Sequence, residues 1–199
     1  MHKLVLASKS PRRHEMFNML GLNYITTSVE IDEKILAAES PENAVKRIAR
    51  KKAKSAAKNF ADYIIISADT IVVCDNIILG KPRNKGEAYE FLSQLSGKSH
   101  QVMTGVCLYN PLANYMDVRA EKTSVFFRNL TTEEINYYVE TREPYDKAGA
   151  YGIQGRGALL IDRIEGCYYN VVGLPITTLY LMLKEQNINI LGGADDRGI

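Results

Sequence analysis

The chain has 199 residues, which is enough for one large domain or for two small lobes that share a core. Its net charge of +2 shows no bias towards nucleic acid or a membrane surface, so a basic site would have to come from local clustering. The three cysteines form no Cys-x-x-Cys pair, which argues against a disulfide framework or structural zinc. The N-terminus has no long apolar stretch, so we expect a cytoplasmic protein with no membrane partner.

The first stretch with chemical potential follows Leu4–Ala7, an apolar run that is typical of a buried strand. Ser10 begins a Ser-Pro pair, which favours a helix start. Arg12 and Arg13 then lie in the first helical turn, where positive charges oppose the helix dipole. A bound anion would reverse that penalty, because backbone N–H groups, two guanidinium groups and the hydroxyls of Ser8 and Ser10 make a phosphate cradle. A solvated basic helix end explains the same residues, so this stretch alone leaves both interpretations open.

A second strand is predicted at residues 24–29, followed by a polar loop that contains Glu33. Acidic loop residues are usually just solvated, but carboxylates are also common ligands of Mg²⁺. A helix is predicted over residues 40–60, and Lys52 lies on or beside its buried apolar stripe. Two interpretations of Lys52 stay open: its stem follows the apolar surface out to water, or its charge is used in a site.

The longest strand signal, residues 63–74, is apolar on both sides of Asp69, which indicates a strand buried on both faces. Aspartate is disfavoured in strands and rarely buried alone, so Asp69 requires a cation, a metal or backbone donors nearby. A structural ion pair would satisfy that requirement, but a functional carboxylate is favoured. A two-residue turn returns the chain along residues 77–79 to Gly80 and Lys81, where glycine permits the close approach of a ligand.

The rest of the chain continues the mixture of helices and strands. Further helices are predicted at residues 88–95, 131–141 and 175–185, and further strands at 101–109, 116–128 and 158–164. Thr131 and Glu134 match a capping box at one helix start. Residues 144–157 show neither a helical nor a strand period, which predicts a long shaped loop of the kind that usually carries function. Residues 191–199 are predicted to form a mobile tail.

Four motifs follow one another along residues 4–183: Ser8-x-Ser10-Pro11-Arg12-Arg13; Ala68-Asp69-Thr70 followed by Gly80-Lys81-Pro82; Leu95-Ser96-Gly97 with Val102-x-Thr104-Gly105-Val106; and Asp146-Lys147-Ala148-Gly149-Ala150-Tyr151-Gly152-Ile153-Gln154-Gly155. Each motif is weak alone, but the four in this order are specific. They resemble the Maf family of nucleoside triphosphate pyrophosphatases, which was first associated with septum formation.

The resemblance implies an α/β fold similar to that of inosine triphosphatase. In that fold an elongated, mixed, twisted sheet is flanked by helices, and two lobes surround a nucleotide cleft. A single Maf-like domain over residues 1–190 is implied, with the tail at 191–199 outside it.

The resemblance also assigns a role to each candidate residue. Asp69 matches the family's catalytic acid. The other residues that match the family's charged site are Arg13, Glu33, Lys52 and Lys81, with Ser8 in the first loop. Members that take pyrimidine triphosphates carry Arg, Thr and Gln at three specificity positions, which are Arg12, Thr70 and Gln154 here. The related subfamily that takes 7-methyl-GTP has glutamine, not threonine, after the catalytic aspartate.

The implied activity is hydrolysis of dTTP and UTP to the monophosphate and pyrophosphate, with modified pyrimidine nucleotides as further candidates. A divalent cation, Mg²⁺ or Mn²⁺, would be held by Asp69 and Glu33, and Asp69 would act as base for the attacking water. The alternative from another class is a nucleotide-binding or nucleic-acid-binding regulator of cell division without major catalysis. The presence of Asp69 and the near-neutral charge favour the enzyme, with no stable nucleic-acid partner expected. Whether the chain forms a homodimer is left open.

Overall fold

A computed structural model describes residues 3–36 and 38–191, so all but the first residue of the predicted tail at 191–199 lies outside the described residues. The strands in this part of the chain are β1 (Leu4–Ala7), β2 (Tyr24–Thr27), β3 (Ile64–Cys74), β4 (Ile77–Leu79), β5 (Ser99–Asn110), β6 (Tyr115–Phe127) and β7 (Ile161–Glu165). Its α-helices are α1 (Pro11–Met19), α2 (Pro41–Ala57), α3 (Lys85–Leu95), α4 (Thr132–Glu140), α5 (Tyr168–Val172) and α6 (Ile176–Glu185). Short 3₁₀ segments occupy Glu143–Asp146, Ala148–Ala150 and Gly155–Leu160.

The strands form one mixed sheet in the order β2-β1-β3-β5-β6-β7, and β4 pairs with β3 beside this path. Strand β1 runs parallel to both neighbours, with Leu4 opposite Tyr24 of β2 and Ile64 of β3. The pairs β3–β4 and β6–β7 are antiparallel. The predicted mixed α/β class, a sheet flanked by helices, is therefore confirmed. The cleft that the resemblance implies stays a prediction.

The described residues divide into two compact units. Unit 1 comprises the described parts of Met1–Asp69, Thr104–Glu121 and Gly173–Ile199. Unit 2 comprises Thr70–Met103 and Lys122–Val172. Strands β3, β5 and β6 contribute residues to both units. The single domain predicted over residues 1–190 stays a prediction.

In unit 1, helix α2 packs closely on the sheet through small residues. Ala49, Ala53 and Ala56 recur at helical spacing on its buried face and belong to a core cluster with residues of β1, β3 and β5. An added Cβ at Gly105 of β5 would overlap the backbone carbonyl of Val45 in α2. Because no larger residue fits at this contact, Gly105 sets how near α2 lies to the sheet.

In unit 2, helices α3 and α4 bury their apolar faces in a second core, to which Leu92, Leu95 and Ile135 belong. The strand predicted at residues 158–164 is wrong at its start, because a 3₁₀ segment continues to Leu160 before β7 begins. Gly157 and Leu160 are buried while Ala158 and Leu159 between them are both exposed, a spacing of three that fits a 3₁₀ turn and not the two-residue alternation of a strand. No helix among the described residues combines the length and the apolar character needed to span a bilayer.

Candidate active site

Asp69 and Lys52 meet where β3 packs against α2 in unit 1. Ser67 lies two residues before Asp69 on the same face of β3, and its fully buried hydroxyl donates to the backbone carbonyl of Ala49 at 2.7 Å. Lys52 follows Ala49 by about one helical turn. With the two elements held in this register, the Nζ of Lys52 donates to Oδ1 of Asp69 at 2.7 Å.

Lys52 also binds a second carboxylate. Its Nζ lies 2.9 Å from Oε1 of Glu33, in the loop between β2 and α2. The side chains of Lys52 and Asp69 are 12% and 11% exposed, whereas that of Glu33 is 54% exposed. The ammonium of Lys52 is therefore held between two carboxylates and does not simply extend along the apolar surface into water. Asp69 has the cationic partner that its place in an apolar strand requires.

The loop that carries Glu33 is tied to α2 by an arginine that sequence reasoning missed. The Nε of Arg47 donates to Oε1 of Glu39 at 2.7 Å, and its Nη2 donates to Oε2 of Glu39 at 2.8 Å and to the carbonyl of Lys34 at 2.9 Å. This bidentate pair lowers the pKa of Glu39 and raises that of Arg47. Arg47 cannot be distinguished in the sequence from the nearby lysines of α2, and its partner Glu39 belongs to an irregular loop.

Arg13 is buried and joins three segments of unit 1. Its Nε donates to the carbonyl of Gly173 at 2.7 Å. Its Nη1 donates to the carbonyl of Ala68 at 2.9 Å and to the hydroxyl of Ser8 at 3.4 Å. Because Ala68 directly precedes Asp69, the guanidinium is fixed beside the strand position that carries the carboxylate.

The charges of this cluster act on one another. Burial, the largest effect, lowers the pKa of Arg13, and the positive charge of Arg12 lowers it further. The carboxylates of Asp69 and Glu33 oppose both effects by favouring the charged guanidinium. The cluster therefore combines cations and carboxylates within electrostatic range, and a charged ligand would interact electrostatically with each of them.

The two carboxylates that the resemblance implies as metal ligands, those of Asp69 and Glu33, both contact the ammonium of Lys52. They therefore converge on one positively charged position. No group of three or more His, Cys, Asp or Glu residues suited to a metal occurs within the described residues. Mg²⁺ commonly takes one or two protein carboxylates and completes its shell with water and substrate phosphate, so this oxygen-donor pair fits such an ion.

The other predicted site residues belong to unit 2. Thr70 is half-buried in β3 and directly follows the aspartate, so in regular strand geometry its side chain points to the opposite face. Lys81 is exposed next to Gly80, whose carbonyl accepts from the N–H of Gly149 at 3.0 Å. Gln154 is exposed and immediately precedes the 3₁₀ segment Gly155–Leu160. Unit 1 thus brings together Ser8, Arg13, Glu33, Lys52 and Asp69, with Arg12 adjoining, while Thr70, Lys81 and Gln154 lie in unit 2.

The sheet and the charged cluster together define a mixed α/β protein with a partly buried group of acidic and basic side chains. A family model described as Maf-like protein matches residues 3–186. The chain belongs to the Maf family.

Curated relatives match over nearly the whole chain. It is 48% identical over 186 residues to the dTTP/UTP pyrophosphatase of Syntrophomonas wolfei, covering 94% of this chain and 98% of that protein. It is 42% identical over 197 residues to the dTTP/UTP pyrophosphatase of Caldicellulosiruptor bescii, covering 97% and 99% of the two chains. The solved structure of the Staphylococcus aureus Ham1 protein aligns with a TM-score of 0.55 at 14% identity, covering 92% of this chain and 99% of that one. This last match shows likeness of fold alone.

Proposed function

We propose that this protein hydrolyses dTTP and UTP to the nucleoside monophosphate and pyrophosphate. The observation that carries the proposal is the near full-length similarity to relatives named dTTP/UTP pyrophosphatase. The chain also has the residues that the resemblance associates with pyrimidine triphosphates, namely Arg12, Thr70 and Gln154. Modified pyrimidine triphosphates belong to the same proposed substrate class.

In the proposed reaction, a water oxygen forms a bond to the α-phosphorus, and the bond from that phosphorus to the oxygen bridging to the β-phosphorus breaks. Pyrophosphate is the leaving group, and the water proton passes to Asp69. Lys52 engages Oδ1 of Asp69 at 2.7 Å and so holds the carboxylate in one orientation. We assign proton acceptance to the other oxygen, Oδ2.

Positive charge is the second requirement, because a triphosphate carries about four negative charges. We assign this role to Arg12, Arg13, Lys52 and Lys81. Arg13 is suited to it because its hydrogen bonds to Gly173 and Ala68 fix its position before any ligand arrives. A preorganised cation stabilises developing charge without reorganisation during the reaction.

We further propose that Asp69 and Glu33 hold a divalent cation, Mg²⁺ or Mn²⁺. The support is that both carboxylates reach the Lys52 ammonium, at 2.7 and 2.9 Å, and therefore lie close to each other. Such an ion, when bound, neutralises phosphate charge and polarises the phosphoryl group. Glu33 is the more exposed of the two carboxylates, and Arg47 restrains its loop through Glu39 and Lys34.

The test is pyrophosphate release by the purified full chain from dTTP, UTP, CTP, GTP and 7-methyl-GTP, with Mg²⁺ or Mn²⁺. We expect dTTP and UTP to have the highest kcat/KM, with the nucleoside monophosphate as the second product. Thr70→Gln should shift preference towards 7-methyl-GTP. Release of inorganic phosphate instead of pyrophosphate, or preference of the wild type for a purine triphosphate, would overturn the proposal. Nucleotide binding without turnover would instead favour the regulator.

A further inference from the structure

The backbone around Gln154 is anchored on both sides within unit 2. Tyr151 lies three residues before it and is only 4% exposed. The Oη of Tyr151 lies 2.6 Å from Nε2 of His100 in β5, which is 3% exposed. The chain entering the Gln154 turn, which we define as residues 152–157, is therefore attached to the sheet by a buried hydrogen bond.

Packing around this hydrogen bond holds both rings. His100 and Tyr151 each contact Phe127 edge to face, with centroids 5.1 and 4.8 Å from that ring. Within the described part of the chain, the Nδ1 of His100 is buried without a hydrogen-bond partner. The other ring nitrogen, Nε2, is hydrogen-bonded to Tyr151. Breaking the bond would leave a second buried polar atom unsatisfied, which is why alternative positions of Tyr151 are disfavoured.

The far side of the turn is held by a carboxylate. The oxygens of Glu143 accept from the backbone N–H groups of Arg156 at 3.3 Å and Gly157 at 3.4 Å. Gly155 has φ +68°, and an added Cβ there would lie 3.1 Å from a Glu143 oxygen. An added Cβ at Gly157 would overlap the carbonyl of Gly152. The turn therefore closes tightly on itself and on Glu143.

Gln154 is exposed, as are Gly155 and Arg156, and it lies between the anchored Tyr151 and the backbone N–H groups that Glu143 holds. A side-chain amide presents a donor and an acceptor together, which matches the hydrogen-bonding edge of a pyrimidine. Holding the backbone that carries such a group before the ligand arrives lowers the entropy lost on binding and sharpens selectivity.

We propose that His100, Tyr151 and Glu143 are positioning residues for base selection, because they fix the Gln154 turn so that its amide reads the nucleotide base. This inference rests on the proposed function of the same site. It separates two tasks: these residues act on which nucleotide is accepted, whereas the charged cluster around Asp69 acts on the cleavage itself. Neither His100 nor Glu143 is needed to touch the substrate.

Two isosteric variants test the anchors, each with a matched control. Tyr151→Phe removes only the hydroxyl and keeps the ring, and Tyr137→Phe makes the same change at a side chain that is 76% exposed on α4. Glu143→Gln removes the charge, and Glu140→Gln makes the same change at a side chain that is 64% exposed. We expect the ratio of kcat/KM for dTTP to that for GTP to fall about tenfold in both test variants, mainly through a higher KM for dTTP. The controls should match the wild type.

A double-mutant cycle separates positioning from a merely structural role. If Tyr151 acts through Gln154, adding Tyr151→Phe to Gln154→Ala should cause no further loss of discrimination. Hydrogen exchange of the Arg156 and Gly157 amides should be faster in both test variants than in the controls. Additive losses in the cycle, or unchanged exchange and discrimination, would overturn the inference.

If Tyr151→Phe fails to fold, Glu143→Gln carries the test from the other anchor. An inactive wild type overturns the proposed function itself, whereas active wild type with unaltered variants overturns only the positioning.

Discussion

Replacing Asp69 by asparagine should abolish turnover while leaving the fold intact. Asparagine has nearly the same shape and keeps an oxygen that can accept from Lys52, 2.7 Å away in the wild type. The ammonium also keeps Glu33 at 2.9 Å, so no charge is left alone. We therefore expect the free energy of unfolding to fall by only about 1–2 kcal/mol, the scale of one weakened charged hydrogen bond.

Lys52→Met provides the contrast for this prediction. It removes the ammonium and leaves the carboxylate of Asp69, 11% exposed, without that partner. Removing one partner of a buried ion pair costs about 3–5 kcal/mol. Because the Asp69 side chain keeps some exposure to water, we expect the free energy of unfolding to fall by about 3 kcal/mol. Lys52→Met should thus be the less stable variant, although both alter the same ion pair.

The assay combines pyrophosphate release from dTTP with urea unfolding of the same preparations. Loss of the base should lower kcat of Asp69→Asn by about 10²-fold or more. Near-normal release by this variant would refute the catalytic assignment of Asp69. An unfolded Asp69→Asn would show that the carboxylate is structural, and a Lys52→Met protein as stable as the wild type would refute the ion-pair argument.

Three further outcomes are expected. Arg13→Ala and Lys81→Ala should each lower kcat together with kcat/KM, by about 1.5–3 kcal/mol of transition-state stabilisation, and unchanged steady-state kinetics would place these cations outside the site. Burial lowers the pKa of His100 from 6.5 to about 4, so the unfolded chain binds its proton first as the pH falls. The free energy of unfolding should therefore decrease between about pH 6.5 and pH 4, by at most about 1.4 kcal/mol per pH unit, and His100→Phe should flatten that decrease in urea titrations. Gly105→Ala should lower stability by about 1–3 kcal/mol because the added methyl overlaps Val45, and an unchanged melting temperature would contradict this packing.

Most helices and strands could be predicted because their signals are local. The apolar run Leu4–Ala7 forms β1, and α4 begins at a capping box in which Thr131 and Glu134 each bond the other's backbone. Helix α5 was missed because its span, Tyr168–Val172, is five residues long, too short to show a helical period. The loop predicted at residues 144–157 contains 3₁₀ turns that no period in the sequence indicated.

The sequence by itself determined that Asp69 needs a partner, because an acid inside an apolar strand cannot be left unpaired. Only the tertiary structure decided that the partner is Lys52, with Glu33 beside it, since this depends on how α2 is set against β3. The same holds for Arg13: its place in the first turn of α1 is evident from the sequence, but its hydrogen bonds to carbonyls far along the chain are not.

Residues that hold other residues in place were the hardest to predict from the sequence. Arg47 is one of several cations on α2, and His100 and Tyr151 stand 51 positions apart. Periodicity and capping report a residue's own neighbours in the chain, whereas ion pairs and buried hydrogen bonds join segments that only packing brings together. The sequence therefore determined which elements form and which charged residue types they carry. Packing decided which of those charges meet, because the partners lie on different elements.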